Sequence, residues 1–181
     1  MPYTRAPPGG DHAAPRPENA IHPGARIGHV HLKVADLDRA LRFWRDTIGL
    51  EEQQRMGERA VFLSAGGYHH HIALNTWESA GGDPPPPGTT GLYHVALLFP
   101  DRRSLAAALR RVLDAGIALE GASDHGVSEA LYLRDPDGNG VELYRDRDPA
   151  EWPRDASGAL SMHTRRLDVP ALLAEAGSPG Q

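Results

Sequence analysis

The feature that most constrains the fold is an internal repeat. The segment HVHLKVADLDRALRFW begins at His29, and the similar segment HVALLFPDRRSLAAAL begins at His94. Each histidine is followed seven residues later by an aspartate, Asp36 or Asp101, where a helix N-cap is expected. Apolar residues then recur at three- and four-residue steps, the period of an amphipathic helix. The sequence therefore predicts two copies of a unit that opens with a strand and a helix.

Each predicted helix is followed by an extended tract and then by a hairpin. The hairpin sequences are VFLSAGGYHHHIALN in the first copy and LYLRDPDGNGVELY in the second. The run DPDGNG is a strong turn signal between residues that favour strands. Each copy thus contains a strand, a helix and about three further strands. We expect an α+β fold of two paired βαβββ repeats, whose curved mixed sheet encloses a cleft.

The composition along the chain divides it into three parts. Residues 1–25 are rich in proline and glycine and predict a flexible N-terminal arm. Residues 26–147 form the repeat domain, with repeats at 26–80 and 89–147 and a proline-rich connector at 81–88. Residues 148–181 are predicted to form a C-terminal extension. It contains a short helix that begins after the cap Asp168 and ends before Gly177.

Charge and composition exclude several classes of function. The chain has 19 basic and 24 acidic residues, a formal charge of -5, and no basic run suited to nucleic acid. It has no cysteine, so any metal must be held by histidine, aspartate or glutamate. Its longest strongly apolar run, 95–99, is far short of the ~20 residues that span a bilayer. No signal-peptide core is visible near the N-terminus, and we expect a cytoplasmic protein that does not bind membranes.

Packing of the two repeats about a pseudo-twofold axis would turn two distant histidines into a pair. His29 and His94 begin matching strands, and superposing the last hairpins matches Glu142 with Ala73. Glu142 has apolar neighbours on both sides, so its side chain points away from the core layer that they fill. Two imidazoles and one carboxylate make a facial triad that suits Fe(II) and leaves positions open for substrate and oxygen. Taken singly, each histidine could instead be a hydrogen-bonded strand residue, and Glu142 a solvent-facing one.

Three further side chains are candidates for the same cleft. His71 lies two residues before Ala73, so on one strand both face the same side, where a neutral imidazole could exchange protons. It could also be a polar residue at the start of a strand, or a fourth ligand. Tyr132 could hydrogen-bond a substrate or be a core aromatic residue. Trp77 could be a pocket wall or a cover for the hairpin.

Four segments carry a resemblance to a known family: GHVHLKV, GGYHHHIALNTW, GLYHVALLFPD and SEALYLRDPDGNGVELYRDR. They resemble the vicinal-oxygen-chelate superfamily, which includes glyoxalase I, bleomycin-resistance proteins and the type I extradiol dioxygenases. Within it they look most like catechol 2,3-dioxygenases. The resemblance implies that His29, His94 and Glu142 hold a metal, that His71 shuttles a proton, and that Tyr132 contacts substrate. It also implies that His125 is a further pocket residue.

The expected function is that of an extradiol-type dioxygenase, which cleaves a small catechol-like aromatic substrate with O2. The resemblance implies Fe(II), or else Mn(II) or another divalent metal, and it implies a homodimer. Enzymes of this branch usually carry four repeats, whereas this chain has two. Two alternatives stay open: a non-oxidative metal-dependent lyase or isomerase, and a non-catalytic protein that binds an aromatic antibiotic. Glyoxalase I activity would require a glutamate or glutamine in place of Ala73.

Overall fold

The structure is a computed structural model that describes residues 19–177. The first repeat contains β1 (Val30–Lys33), α1 (Leu37–Leu41), a π-helical turn (Arg42–Thr47), β2 (Glu51–Met56), β3 (Ala60–Ser64) and β4 (Ile72–Asn75). The second contains β5 (Val95–Phe99), α2 (Arg102–Asp114), β6 (Gly121–Asp124), β7 (Ser128–Arg134) and β8 (Gly140–Asp146). A 3-10 turn (Pro149–Glu151), β9 (Arg165–Arg166) and α3 (Val169–Ala174) follow.

Each repeat forms its own mixed sheet. The strand order is β1-β4-β3-β2 in the first sheet and β5-β8-β7-β6-β9 in the second. In each repeat the first strand runs parallel to the fourth, with Val30 opposite Ile72 and Val95 opposite Val141. The predicted α+β fold with two βαβββ repeats is therefore confirmed. The two sheets remain separate and do not close into a barrel.

Local sequence explains where the helices begin and which faces they bury. The side chains of Asp36 and Asp101 accept hydrogen bonds from backbone N–H groups three residues later, as N-caps do. The apolar stripe of α2 is buried, and Leu105 and Leu109 are fully enclosed. The first helix continues past Leu41 as a π-helical turn.

The repeats contact each other through their helices and through the turn between β7 and β8. The Arg111 side chain on α2 donates a hydrogen bond of 2.9 Å to the carbonyl of Ile48, at the end of the π-helical turn. From the β7–β8 turn, Asp137 accepts a hydrogen bond of 2.8 Å from the backbone N–H of Ala35. Buried residues of both repeats form one apolar cluster.

The C-terminal extension packs on the second repeat. Asp168 caps α3 by accepting a hydrogen bond of 2.9 Å from the N–H of Ala171, as predicted. Leu172 is fully buried, and β9 adds a strand beside β6. Of the predicted N-terminal arm, residues 1–18 lie outside the described residues. Between residues 19 and 177, no helix is long and apolar enough to cross a membrane.

Candidate metal centre and substrate cleft

Glu142 lies on β8, between β5 and β7 of the second sheet, and the pairing of these strands determines what surrounds it. It is opposite Ala96 on β5 and opposite Tyr132 on β7. Residues that pair directly across neighbouring strands project on the same face of a sheet. Glu142 and Tyr132 therefore share one face, and His94, immediately before β5, reaches the same place.

His94 and Glu142 form a close pair. His94 Nε2 is 2.9 Å from Glu142 Oε2, and the Glu142 side chain is only 13% exposed. Within residues 19–177, no lysine or arginine forms an ion pair with this carboxylate. A shielded carboxylate without a basic partner favours a cation beside it. The Nδ1 atom of His94 is also buried and has no hydrogen-bond partner, so the imidazole retains an unused polar atom.

Tyr132 and His125 extend this pair into a continuous series. The Tyr132 hydroxyl lies 3.3 Å from Glu142 Oε1 and 2.8 Å from His125 Nε2. Burial, followed by the charge of Glu142, raises the pKa of Tyr132 to about 12. The phenol consequently keeps its proton near neutral pH. The structure thus brings together four residues that the sequence nominated: His94, Glu142, Tyr132 and His125.

A cleft of about 450 Å³ opens beside this series. His94, Tyr132, Tyr93 and Gly121 are among the residues that line it. This volume falls within the range of pockets that hold small organic molecules, roughly 300–1,000 Å³. The cleft can therefore hold a single-ring compound beside the imidazole and the phenol.

His29 lies immediately before β1 and does not join this group. Its ring packs on His70, with the ring centroids 4.3 Å apart. Within the part of the chain that the structure describes, no three histidine, aspartate or glutamate side chains are placed to hold one metal ion. A single chain therefore brings together two of the three predicted ligands, His94 and Glu142. His29 can act as the third ligand only if another element brings it close to His94 and Glu142.

His29 stands at one end of a series of rings in the first repeat. From His29 the series runs through His70, Phe62 and His31 to Trp77, with centroids 4.3, 5.1, 6.3 and 5.3 Å apart in turn. Burial, followed by the nearby His29, lowers the pKa of both His31 and His70. Trp77 is 46% exposed, so an aromatic face remains accessible. The series offers a continuous wall of rings.

Of the five rings in this series, the sequence predicts only the two at its ends, His29 and Trp77, as site residues. His31 was detectable, because it lies two residues after His29 on one strand and therefore on the same face. Phe62 was detectable from the hairpin register, in which it opposes Ala73. His70 belongs to a loop, and no periodic pattern places its ring.

His71 lies just before β4, in the loop, and not within the strand. Its Nδ1 atom accepts a hydrogen bond of 3.3 Å from the N–H of Ala65, and its ring stacks on Tyr68 at 4.8 Å. Burial, and then the neighbouring His69, lowers its pKa. His71 is therefore a neutral imidazole near neutral pH. It lies beside the first repeat's own loop and is not a member of the series around Glu142.

The sequence matches a family model over residues 26–143. That model is the Glyoxalase/Bleomycin resistance protein/Dioxygenase superfamily. The chain belongs to this superfamily. The resemblance inferred from the sequence motifs is thereby confirmed, and the match runs through the first repeat and into the last strand of the second.

The relatives of this chain include proteins named as dioxygenases. The chain is 43% identical over 158 residues to a catechol-2,3-dioxygenase of Bacillus subtilis (strain 168), an alignment that covers 87% of this chain and 54% of the relative. It is 26% identical over 145 residues to a manganese-dependent 2,3-dihydroxybiphenyl 1,2-dioxygenase of Geobacillus genomosp. 3, covering 78% and 43% respectively. The chain therefore spans about half the length of these curated relatives.

Solved structures of the superfamily share the fold. A glyoxalase/dioxygenase from Nostoc punctiforme superposes with a TM-score of 0.59 over 74% of this chain and all of that one, at 19% identity. At this level of identity the likeness concerns the fold alone. Activity has to be argued from the residues of the site.

Proposed function

We propose that this superfamily member is a metal-dependent extradiol-type dioxygenase that cleaves a catechol-like aromatic ring with O2. The observation that carries the proposal is the connected series His94, Glu142, Tyr132 and His125 beside a cleft of suitable size. Its chemistry matches the name of the Bacillus subtilis relative at 43% identity. A carboxylate, two imidazoles and a neutral phenol combine metal-binding groups with a hydrogen-bonding group for a substrate oxygen.

The residues present fit a divalent cation. Glu142 is shielded from solvent, has no lysine or arginine partner among residues 19–177, and lies against an imidazole. We propose that His94 and Glu142, with His29, hold the ion, and that it is Fe(II), with Mn(II) as the alternative. Such an ion, when bound, would supply Lewis-acid and oxygen-activating chemistry at the cleft. The protein provides the donors and the cleft.

His29 would reach the other two ligands from a second copy of the chain. The strands that follow His29 and His94, β1 and β5, are both edge strands of their sheets. Large apolar side chains next to these histidines are exposed: Ile27 is 91% and Tyr93 is 82% accessible. In a twofold dimer, each patch on one copy meets the equivalent surface of the other. We therefore propose a homodimer whose two metal sites each take His29 from one copy and the remaining ligands from the other.

The other nominated residues take supporting roles in this proposal. Tyr132 binds a substrate oxygen through its hydroxyl group, and His125 supports Tyr132. Trp77, at the end of the aromatic series, supplies a ring face to the substrate. His71 exchanges a proton through Nε2, since its Nδ1 already accepts a hydrogen bond from the backbone.

The test of the function is metal analysis of untagged protein, followed by anaerobic Fe(II) loading and oxygen uptake with a panel of catechols. We expect about one metal ion per chain and catechol-dependent oxygen uptake. His94→Ala should lose both, whereas the matched variant His22→Ala, at an exposed histidine, should lose neither. Unchanged metal content and activity in His94→Ala would overturn the site. Metal without oxygen uptake would favour a lyase or isomerase, and tight binding of aromatics by metal-free protein would favour a binding protein.

The shared site has its own test. His29→Ala and Glu142→Ala should each be inactive as pure proteins. If the two are mixed and allowed to exchange subunits, half of the dimers are mixed and each carries one intact site, so activity should recover to about a quarter of the wild-type value. No recovery after proven exchange would mean that each site lies within one chain.

A further inference from the structure

The C-terminal extension is fastened at both ends to the second repeat. Its strand β9 pairs with β6, with Arg166 opposite Ser123. Its helix α3 packs on α2 and buries Leu172. Immediately before β9, the extension passes over the β6–β7 turn, which carries His125. We call residues 163–164 of this passage the strap.

The strap lies directly against the backbone of the β6–β7 turn. A Cβ atom added at Gly126 would lie 2.6 Å from His163 Cε1 and 2.7 Å from Pro153 Cγ. Gly126 also has a φ of 77°, which L side chains rarely adopt. Only glycine leaves room for the extension at this point. The backbone N–H of His163 completes the contact by donating to the carbonyl oxygen of His125 at 3.2 Å.

The strap surrounds one nitrogen of the His125 ring with oxygen atoms. His125 Nδ1 is 3.2 Å from the carbonyl oxygen of His163 and 3.2 Å from Thr164 Oγ1. A carbonyl oxygen can only accept a hydrogen bond, so Nδ1 must carry a proton. In a neutral imidazole the other nitrogen, Nε2, is then an acceptor. Its neighbour at 2.8 Å is the Tyr132 hydroxyl, which must therefore donate to it.

This assignment decides the direction of the hydrogen bonds around Glu142. A phenol has one proton, and Tyr132 cannot give it fully to both His125 and Glu142. The distances agree with donation to His125, at 2.8 Å against 3.3 Å to Glu142. Glu142 then keeps both oxygens free of the phenol proton, and the Tyr132 oxygen presents its lone pairs to the cleft.

We infer that the strap of the C-terminal extension is a positioning element that fixes the Nδ1–H tautomer of His125 and so turns Tyr132 into a hydrogen-bond acceptor toward the cleft. His163 acts through its backbone carbonyl and Thr164 through its hydroxyl group. The consequence for catalysis rests on the proposed function. An accepting Tyr132 implies that the substrate presents a hydroxyl group to it, and not a bare oxyanion. The tautomer itself requires neither metal nor substrate.

The test is long-range proton–nitrogen NMR of the histidine rings in the full-length, metal-free protein. The pH is set about two units above the ordinary pKa of histidine so that the rings are neutral, and His125→Gln assigns the signal. We expect the Nδ1–H tautomer for His125, although free imidazole side chains in water favour Nε2–H. An Nε2–H tautomer would overturn the inference, whether or not the protein proves to be a dioxygenase.

A matched pair of variants tests the part played by the strap. Gly126→Ala forces the extension away from the turn, and we expect His125 to lose its pure Nδ1–H signature. Gly158→Ala places the same strain on a positive φ, 83°, within the extension, but its new methyl group meets open space. It should keep the wild-type signature. If folded Gly126→Ala also keeps that signature, the strap does not set the tautomer.

Discussion

Gly140 begins β8 at a point where that strand passes the backbone of Tyr93 and His94. A methyl group added at Gly140 would overlap the carbonyl oxygen of Tyr93. It would also lie 3.0 Å from the carbonyl carbon of that residue and 3.1 Å from His94 Cα. Favourable contacts between carbon atoms are about 3.5–4.0 Å long. Gly140→Ala must therefore separate the start of β8 from the backbone of His94.

The expected magnitude follows from the tolerance of the His94–Glu142 pair. The two atoms are 2.9 Å apart, and N–H···O bonds are made between about 2.7 and 3.2 Å, so a displacement of about half an ångström is enough to weaken the pair. Overpacking of this kind costs about 1–3 kcal/mol of stability. Misplacing groups that orient metal ligands costs about 10–100-fold in metal affinity. We expect Gly140→Ala to show both losses.

The assays are urea unfolding for stability and competition with a chelator for metal affinity. Gly121→Ala is the matched control, because it lies in the same cleft and its added Cβ would make an ordinary contact of 3.6 Å with Tyr132 Cδ2. Unchanged affinity in Gly140→Ala would refute the placement of the site. Equal losses in both variants would mean that any methyl group in the cleft is harmful, and that the approach to His94 is not special.

Three further predictions concern single side chains. Because the pKa of Tyr132 is raised to about 12 by burial and by Glu142, the difference between the ultraviolet titrations of the wild type and of Tyr132→Phe should show one tyrosine that ionises well above pH ~10. A difference signal near pH ~10 would contradict this. Burial raises the pKa of Asp135, so the folded state holds this proton more tightly than the unfolded state. The unfolding free energy of the wild type, relative to that of Asp135→Asn, should therefore fall as the pH rises from below the unfolded-state pKa of 3.8 through the raised folded-state pKa. A wild-type unfolding free energy that rises with pH relative to the variant would contradict this. Glu129, 4% exposed, binds three arginine side chains, so Glu129→Gln should cost about 3–5 kcal/mol in urea unfolding. The exposed pair formed by Glu120 should cost at most about 1 kcal/mol in Glu120→Gln.

The parts of the fold that the sequence predicts are those fixed by local chemistry. Asp36, Asp101 and Asp168 all cap helices, because a short side chain that accepts a hydrogen bond satisfies backbone N–H groups within three residues. The DPDGNG turn lies between β7 and β8 because its residues favour turns wherever they occur. The strand–helix–strand order of each repeat follows from such signals together with the apolar period.

The packing of the two repeats and the position of the strap were not predicted, because both depend on contacts between segments that are distant in the sequence. The similarity of the repeats specifies each repeat, but it does not specify which faces of the two repeats meet. The contact between the repeats includes Arg111 and Asp137, which bind backbone atoms of the other repeat. The DPDGNG run predicts a turn at Asp137, but nothing in it indicates this contact. For the same reason the sequence does not show that His29 packs on His70 and does not group with His94 and Glu142. The strap was equally hidden, because a backbone carbonyl that binds an imidazole leaves no trace in residue type.

The two halves nevertheless differ in a way that the repeat makes visible. The same register places Phe62 opposite Ala73 in the first sheet and Tyr132 opposite Glu142 in the second. At equivalent positions one half thus has an aromatic and a methyl side chain, while the other has a phenol and a carboxylate. In the proposed dimer these two faces meet. One wall would then hold the metal and receive the substrate's oxygens, and the other would cover the substrate's ring with the aromatic series that ends at Trp77. A planar ring with two adjacent oxygens at one edge fits such a cleft. Its oxygens would face the polar wall, and its ring would face the aromatic wall.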